Sequence, residues 1–341
     1  MHPESIPHLV IPFAACNADA WLPTLQSLPP DSFKRLGRLL QGMKLVQTDT
    51  RDAESLSPPH ERALAHALGL TTPDTPDGLI PWAAREAMEE LQAAPEKAWA
   101  WITPCHWAMG HLHATMSDPA LLDVREDESH RLLTLMQPYF ETDGITLHYQ
   151  APGRWLAEGE PFRSLPTASI DRVLARNVDA WLPDTKSAAP LRRLQNEMQM
   201  LLYTHPFNDE REVRRQLPVN SFWISGTGSL PAQSGADLTP TLSKRAREPN
   251  SPPGKEQVSV PRSLAEAVFR EDWAGYAQAW ALLDSGDIAE LLARQQHGET
   301  VRLSLCGDSS AQTFETHRAG LLSKISSLLK PVRPLDILRQ L

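Results

Sequence analysis

The sequence has few cysteines, little glycine relative to proline, and no long apolar run. Its 341 residues include 3 Cys, 17 Gly and 30 Pro. The cysteines Cys16, Cys105 and Cys306 are odd in number and far apart, which argues against a disulfide framework and fits a reducing compartment. No stretch approaches the roughly 18 apolar residues of a membrane span, and the N-terminus lacks the features of a signal peptide. We therefore predict a cytoplasmic protein that does not enter a membrane.

The charge balance excludes a surface that coats nucleic acid in general. Lys and Arg number 33 against 42 Asp and Glu, which gives a net charge of −9. A composition of 41% hydrophobic and 22% charged residues also excludes a mainly disordered, collagen-like or coiled-coil chain. Any phosphate site must therefore depend on local arginines and not on the field of the whole protein.

Short apolar runs alternate with helical patterns along the chain. Apolar or alternating residues predict strands over 9–16, 98–104 and 301–308. Apolar residues at helical spacing predict helices over 31–43, 169–182, 190–204, 264–280 and 321–329. Strands separated by helices predict an α/β fold, and no repeat with a period of 20 to 50 residues is present.

Composition divides this α/β chain into four parts. Residues 1–100 form a predicted N-terminal α/β part, and residues 101–227 a central α+β unit. Residues 228–260 are rich in Pro and Ser and lack periodicity, so we predict a disordered linker. Residues 261–341 form a C-terminal α/β part that completes the sheet.

Polar side chains that suit an anion cluster after the predicted helix 190–204. Arginine offers a planar fork with a fixed charge, and glycines after a strand let backbone N–H groups approach a phosphate or carboxylate. The alternative is that arginines after a helix form a solvated face. The candidate anion-site residues are His205, Asn208, Arg211, Asn220, Gly226 and Gly228.

A second polar cluster combines a thiol, three imidazoles and a carboxylate. Thiolate and imidazole groups are ligands for a borderline metal, but the spacing matches none of the standard zinc patterns, and we predict no metal. Asp308 follows a predicted strand, where α/β proteins keep their sites, although Asp is also a common turn former. The members of this secondary polar cluster are Cys105, His106, His111, His113 and Asp308.

Four motifs resemble a bacterial family known as RpfE-type regulatory proteins, whose members are often labelled predicted cofactor-independent phosphoglycerate mutases. They are Thr-Pro-Cys-His-Trp at 103–107, Pro-Tyr-Phe at 138–140, Arg-Asn-Val at 176–178 and Leu-Gln-Asn-Glu-Met-Gln-Met-Leu at 194–201. The resemblance implies an alkaline-phosphatase or phosphoglycerate-mutase-like sheet with helices and a smaller inserted α+β unit. It also matches the candidate anion-site residues to a stretch of the archaeal-type mutase.

The sequence departs from that mutase pattern where the metals and the nucleophile belong. The first strand ends in Ala-Ala-Cys-Asn at 14–17 where the family has Asp-Gly, Ser225 replaces an arginine, and Cys-Gly-Asp stands at 306–308 without an Asp-His pair. Without metals, nothing lowers the pKa of a serine or screens one phosphate from another. The resemblance therefore implies a catalytically diverged, cytosolic regulatory or phosphorylated-ligand-binding protein that needs no cofactor.

Two alternatives remain open. One is an active phosphoryl-transfer enzyme, of mutase or phosphatase type, with a manganese or zinc centre rebuilt from the secondary polar cluster. The other is a protein-interaction module that uses residues 228–260 to bind a protein partner.

Overall fold

The computed structural model describes residues 6–72, 74–110, 113–183, 188–231, 258–317 and 332–341. The strands there are β1 His8–Ile11, β2 Met43–Thr50, β3 Trp99–Cys105, β4 Trp107–Met109, β5 Ala114–Met116, β6 Thr146–Ala151, β7 Arg154–Glu158, β8 Ser221–Gly228, β9 Val258–Ser259, β10 Arg302–Cys306 and β11 Ser310–Thr316. The helices there are α1 Trp21–Ser27, α2 Lys34–Gln41, α3 Pro59–Ala67, α4 Trp82–Leu91, α5 Glu126–Thr142, α6 Ile170–Val173, α7 Ala189–Tyr203, α8 Pro206–Val213, α9 Ser263–Phe269, α10 Trp273–Ser285, α11 Asp287–Gln296 and α12 Pro334–Leu338. All of these helices are too short or too polar to cross a bilayer.

The contacts divide the chain into two compact units. Unit 1 contains the described residues of 1–54, 58–69 and 237–341, and unit 2 those of 55–57 and 70–236. The sequence placed the first boundary at residue 100, whereas the chain passes into unit 2 at residue 70. Of the predicted linker, residues 232–257 lie outside the described residues.

Unit 1 is built on a mixed sheet with the strand order β2-β11-β10-β1-β9. β1 pairs in parallel with β10, from His8 opposite Arg302 to Ile11 opposite Leu305. Strand β11 runs antiparallel between β10 and β2. All four residues of β1 are buried, as expected for a strand that is covered on both faces, and its mainly apolar sequence fits that position. Helices around a partly parallel sheet confirm the α/β fold class.

The main core of unit 1 joins one face of this sheet to helices from both ends of the chain. Leu9, Ile11, Leu303 and Leu305 pack there, and Trp280 from α10 is fully buried in the same cluster. On the opposite face, smaller side chains from the central strands meet α3. The sheet is thus covered on both sides at its centre.

Unit 2 is built on an antiparallel sheet with the strand order β6-β7-β3-β8, and β4 pairs separately with β5. Its core contains Trp155, Phe140, Phe162 and Phe222, all fully buried. A smaller cluster joins Trp99 of β3 to the alanines of α4.

Several predicted elements are confirmed, and others are wrong for identifiable reasons. β3, β10 and α7 lie where the sequence predicts them, whereas the strand predicted over 9–16 is confirmed only at its start, because β1 ends at Ile11. The helix predicted over 169–182 is wrong after α6, because Leu174 and Ala175, the latter with a φ of +58°, form a turn that the Arg176 N–H closes on the Val173 carbonyl at 2.9 Å. Leu174 and Asn177 form isolated bridges to β5, and a single 3-10 turn follows at Asp179–Trp181.

The helix predicted over 264–280 is in fact two helices, α9 and α10. Glu271 has a φ of +53°, which ends the first helix. The Asp272 carboxylate then accepts a hydrogen bond from the Gly275 N–H at 2.8 Å and caps the second. The helix predicted over 321–329 lies outside the described residues.

Candidate functional site

Arg211, the central residue of the predicted anion site, is fully buried against Glu128. The Arg211 NH1 group donates to Glu128 at 2.9 Å, and both side chains have 0% exposure. The other guanidinium nitrogens donate to the carbonyl oxygens of Leu217 and Leu122. Burial lowers the pKa of Arg211, and the Glu128 charge opposes that shift. The guanidinium therefore donates its hydrogen bonds to groups inside unit 2.

The predicted polar neighbours of Arg211 also bind groups of the protein itself. The Asn208 amide donates to the Leu202 and Val219 carbonyls, both at 2.8 Å. The Asn220 side chain accepts from the Trp107 N–H at 2.7 Å and donates to the Trp107 carbonyl at 3.0 Å. His205 caps α8, because its Nδ1 accepts from the Phe207 N–H at 3.1 Å. These residues tie loops and a helix end together.

The two glycines of the predicted site allow close packing. Gly226 has a φ of +63°, and a Cβ there would lie 2.8 Å from Trp101 Cε3. Gly228 has a φ of +133°, and a Cβ there would lie 3.2 Å from Pro81 Cβ. Both positions have a steric reason to be glycine, without any ligand. The anion site at these six residues stays a prediction that the contacts do not support.

The secondary polar cluster is not gathered into a metal site by its described members. Cys105 is fully buried, and burial raises the pKa of its thiol, which keeps it protonated and unreactive. His106 Nδ1 lies 2.9 Å from the Pro218 carbonyl oxygen, while His113 is exposed. Cys105, His106 and His113 do not bring three ligand atoms within 4.8 Å of one another. His111 lies outside the described residues, and Asp308 belongs to unit 1.

Asp308 lies at the carboxyl end of β10, beside the turn that follows β1. Its Oδ2 accepts a hydrogen bond from the Asn17 N–H at 2.6 Å. In the same turn Phe13 has a φ of +51°, and the Tyr276 hydroxyl donates to the Phe13 carbonyl at 2.8 Å. The Asp308 carboxylate thus joins the two loops, as expected for a residue that forms a turn.

A groove in unit 1 gathers cationic side chains that no local sequence pattern marks. It lies between α2 and residues 332–339, with a volume of about 560 Å³. Its apolar lining comes from Phe33, Gly37, Val332, Pro334 and Leu335. Its polar lining is Lys34, Arg38, Gln41, Arg333, Asp336 and Arg339. We call this feature the cationic groove, because four cations face one carboxylate.

The cations of the groove are only weakly neutralised by the protein. Lys34 lies 3.9 Å from Asp31, and Arg339 lies 3.9 Å from Asp336, with all four side chains at least 45% exposed. Exposed pairs at this distance contribute little, about 0–1 kcal/mol. Within the described ranges, Arg38 and Arg333 form no ion pair. The groove is therefore a local positive site on an acidic protein.

Buried contacts hold the two walls of the groove in place. The Asp284 carboxylate of α10 accepts from the Leu36 N–H at 2.8 Å and from the Arg35 N–H, which caps the start of α2. The opposite wall packs closely against α2, since a Cβ at Gly37 would lie 3.6 Å from Pro334 Cγ, an ordinary van der Waals distance. Leu338, fully buried in the main core, anchors α12. The walls are thus preorganised.

Comparison with known proteins identifies no family for this chain. No family model matches it, and no curated protein matches it in sequence. A solved cofactor-independent phosphoglycerate mutase from Thermoplasma acidophilum aligns with 98% of this chain and 99% of its own, at 13% identity and a TM-score of 0.35. A solved Pyrococcus horikoshii protein aligns with 92% of this chain and 87% of its own, at 12% identity and a TM-score of 0.44. At these values neither alignment assigns an activity, and the resemblance to RpfE-type proteins is not confirmed.

Proposed function

We propose that the protein binds a small ligand carrying phosphate or carboxylate groups in the cationic groove. The observation that carries this proposal is the set of four cations, Lys34, Arg38, Arg333 and Arg339, around one groove in a chain of net charge −9. Their charge must be local in origin, because the field of the whole molecule repels anions.

The shape and chemistry of the groove favour a particular class of ligand. A volume of about 560 Å³ lies within the range of small-molecule sites. The apolar lining suits a short carbon skeleton, while the cations from α2 and from residues 333–339 suit anionic groups at its two ends. A phosphorylated three-carbon acid carries both features.

The proposed role is binding with a regulatory output in the cytosol, and not phosphoryl transfer. The described residues that line the groove include no Ser, Thr, Cys or His. The lining groups that could serve as a nucleophile or a proton carrier, Lys34 and Asp336, each face an opposite charge at 3.9 Å. The rebuilt metal centre has weaker support, since Cys105 is a buried, protonated thiol. The interaction module stays a prediction, since residues 232–257 of its segment lie outside the described residues.

Calorimetry with 3-phosphoglycerate and with inorganic phosphate tests the proposal. We expect the wild type to bind the acid more tightly than phosphate, and the double substitution Arg38→Gln, Arg333→Gln to weaken binding at least about tenfold. The reason is that a hydrogen bond to a charged group contributes about 1.5–3 kcal/mol.

The matched control is Arg294→Gln, an exposed arginine of the same unit that pairs with Glu299 outside the groove. It should bind like the wild type. Absence of heat with both probes, or equal binding by the double variant, would show that the groove is not an anion site.

A further inference from the structure

Strand β2 lies at an edge of the unit 1 sheet, and its outer side carries no strand among the described residues. It pairs only with β11 there. Residues 44–48 are all exposed, including Leu45 at 50% and Val46 at 43%. A long exposed edge with apolar side chains offers main-chain groups for pairing with another strand.

A bulge at Val46 sets which main-chain groups of β2 point outward. The register to β11 shifts between Gln47, opposite Thr313, and Leu45, opposite Phe314, so Val46 is the extra residue. Beyond the two ends of the strand, the Arg51 N–H donates to the Ser309 carbonyl at 3.0 Å, and the His317 N–H donates to the Gly42 carbonyl at 2.9 Å.

In an antiparallel strand pair, residues whose N–H and C=O groups bond to the facing strand alternate with residues whose groups point away from it. The hydrogen bonds just beyond the two ends of β2 therefore fix which of its residues point toward β11. Alternation directs the main-chain groups of Lys44, Gln47 and Asp49 toward β11. It leaves four residues whose N–H and C=O groups point away from the sheet. These outward residues are Met43, Leu45, Thr48 and Thr50.

This outward set is self-complementary under a two-fold axis between Val46 and Gln47. An antiparallel second copy then places its Thr50 opposite Met43 and its Thr48 opposite Leu45, so every outward residue meets another outward residue. We propose that a second copy of this chain pairs with β2 in this register and joins the two unit 1 sheets edge to edge.

Charge supports the same register. It places Lys44 of each copy opposite Asp49 of the other, and opposite charges on facing positions stabilise a strand pair. Lys44 forms no ion pair within the described part of the chain, while Asp49 is 25% exposed and binds Arg62 at 2.6 Å. Lysines and bulges usually protect an edge from pairing. Here the bulge makes the edge symmetric, and the lysine gains an opposite charge.

Sedimentation velocity of the full chain over a range of concentrations tests the proposal, with Thr48→Pro as the disruptive variant. Proline removes the outward N–H of Thr48, and an edge strand tolerates proline where the N–H faces solvent. The matched control is Thr48→Val, which keeps the N–H and suits a strand. We expect a dimer for the wild type and for Thr48→Val, and a dimer dissociation constant at least tenfold higher for Thr48→Pro.

A second variant, Lys44→Glu, keeps the proposal falsifiable if proline disturbs the fold. It sets like charges opposite one another at two symmetric positions and should also weaken the dimer, with an unchanged circular dichroism spectrum. A monomeric wild type at all concentrations would overturn the proposal. So would a folded Lys44→Glu variant that dimerises as tightly as the wild type.

Discussion

At the scale of single residues, His8 shows how burial fixes a charge state. It lies in β1, where its Nε2 is 2.8 Å from the Ser304 hydroxyl, and its Nδ1 has no hydrogen-bond partner in the described structure. Burial lowers the pKa of His8 to about 4, and the charges of Arg302 and His66 add to that shift. The imidazole is therefore neutral in the folded protein at neutral pH.

This pKa predicts a loss of stability in mild acid. The folded pKa lies below the unfolded value of 6.5, so the unfolded chain binds the proton first. Stability from neutral His8 is complete above pH 6.5 and falls as the pH drops toward 4, by up to about 3 kcal/mol. Urea unfolding at several pH values measures this loss. His8→Gln should make the free energy of unfolding depend less on pH, whereas exposed His297→Gln should not. An unchanged pH dependence in His8→Gln would refute the assignment.

The role of a polar residue was the least predictable feature of the sequence. Arg211, Asn208 and Asn220 stand out in it because they suit a ligand, but each binds protein groups. The partner of Arg211 is Glu128, 83 positions away, and no local pattern connects them. The cationic groove was missed for the same reason, since its arginines come from opposite ends of the chain.

At the scale of elements, the sequence predicts buried strands better than exposed ones. β1, β3 and β10 are apolar and buried, and their runs are visible in the sequence. β2 was missed, because its exposed residues mix Lys, Gln, Thr and Asp with Leu and Val. The fold of a polar edge strand is set by its neighbour β11, not by its own pattern.

Gly226 allows a prediction about β8. With a φ of +63° and Trp101 2.8 Å from the position of a Cβ, Gly226→Ala should destabilise the protein by more than about 1 kcal/mol. Gly153→Ala is the matched control, since nothing lies within 4 Å of a Cβ there, and it should change stability by less than about 0.5 kcal/mol. Urea unfolding compares the two. If the two variants had equal free energies of unfolding, the strand would accommodate a Cβ at Gly226 without strain.

At the scale of the whole molecule, the α/β class was predictable, but the division into units was not. Unit 1 collects β1 and β2 from the start of the chain and β9, β10 and β11 from its end. Composition does change between α3 and α4, where residues 71–78 are rich in Pro, Thr and Asp, but that stretch is short and was not predicted as a boundary. The proposed boundary at residue 100 would cut β3, which runs from Trp99 to Cys105.

This division predicts that residues 70–231 fold when expressed alone. They contain every strand of the unit 2 sheet, helix α4, and the buried indoles of Trp99, Trp155 and Trp223. The fragment should show a cooperative urea transition and blue-shifted tryptophan fluorescence, since its core lies within it. The fragment lacks residues 55–57 and their contacts, such as the hydrogen bond from the Leu56 N–H to Asp77.

The matched comparison is a fragment of residues 101–227, the central unit expected from the sequence. It loses Trp99, the α4 alanines that pack on Trp99, and the last residue of β8. Because the β3 pairing to Gly228 and to Glu158 begins at Trp99, the truncated sheet loses one end of its central strand. We expect this fragment to unfold without a cooperative transition. Equal stability of the two fragments would place the limit of unit 2 at residue 101 and not at residue 70.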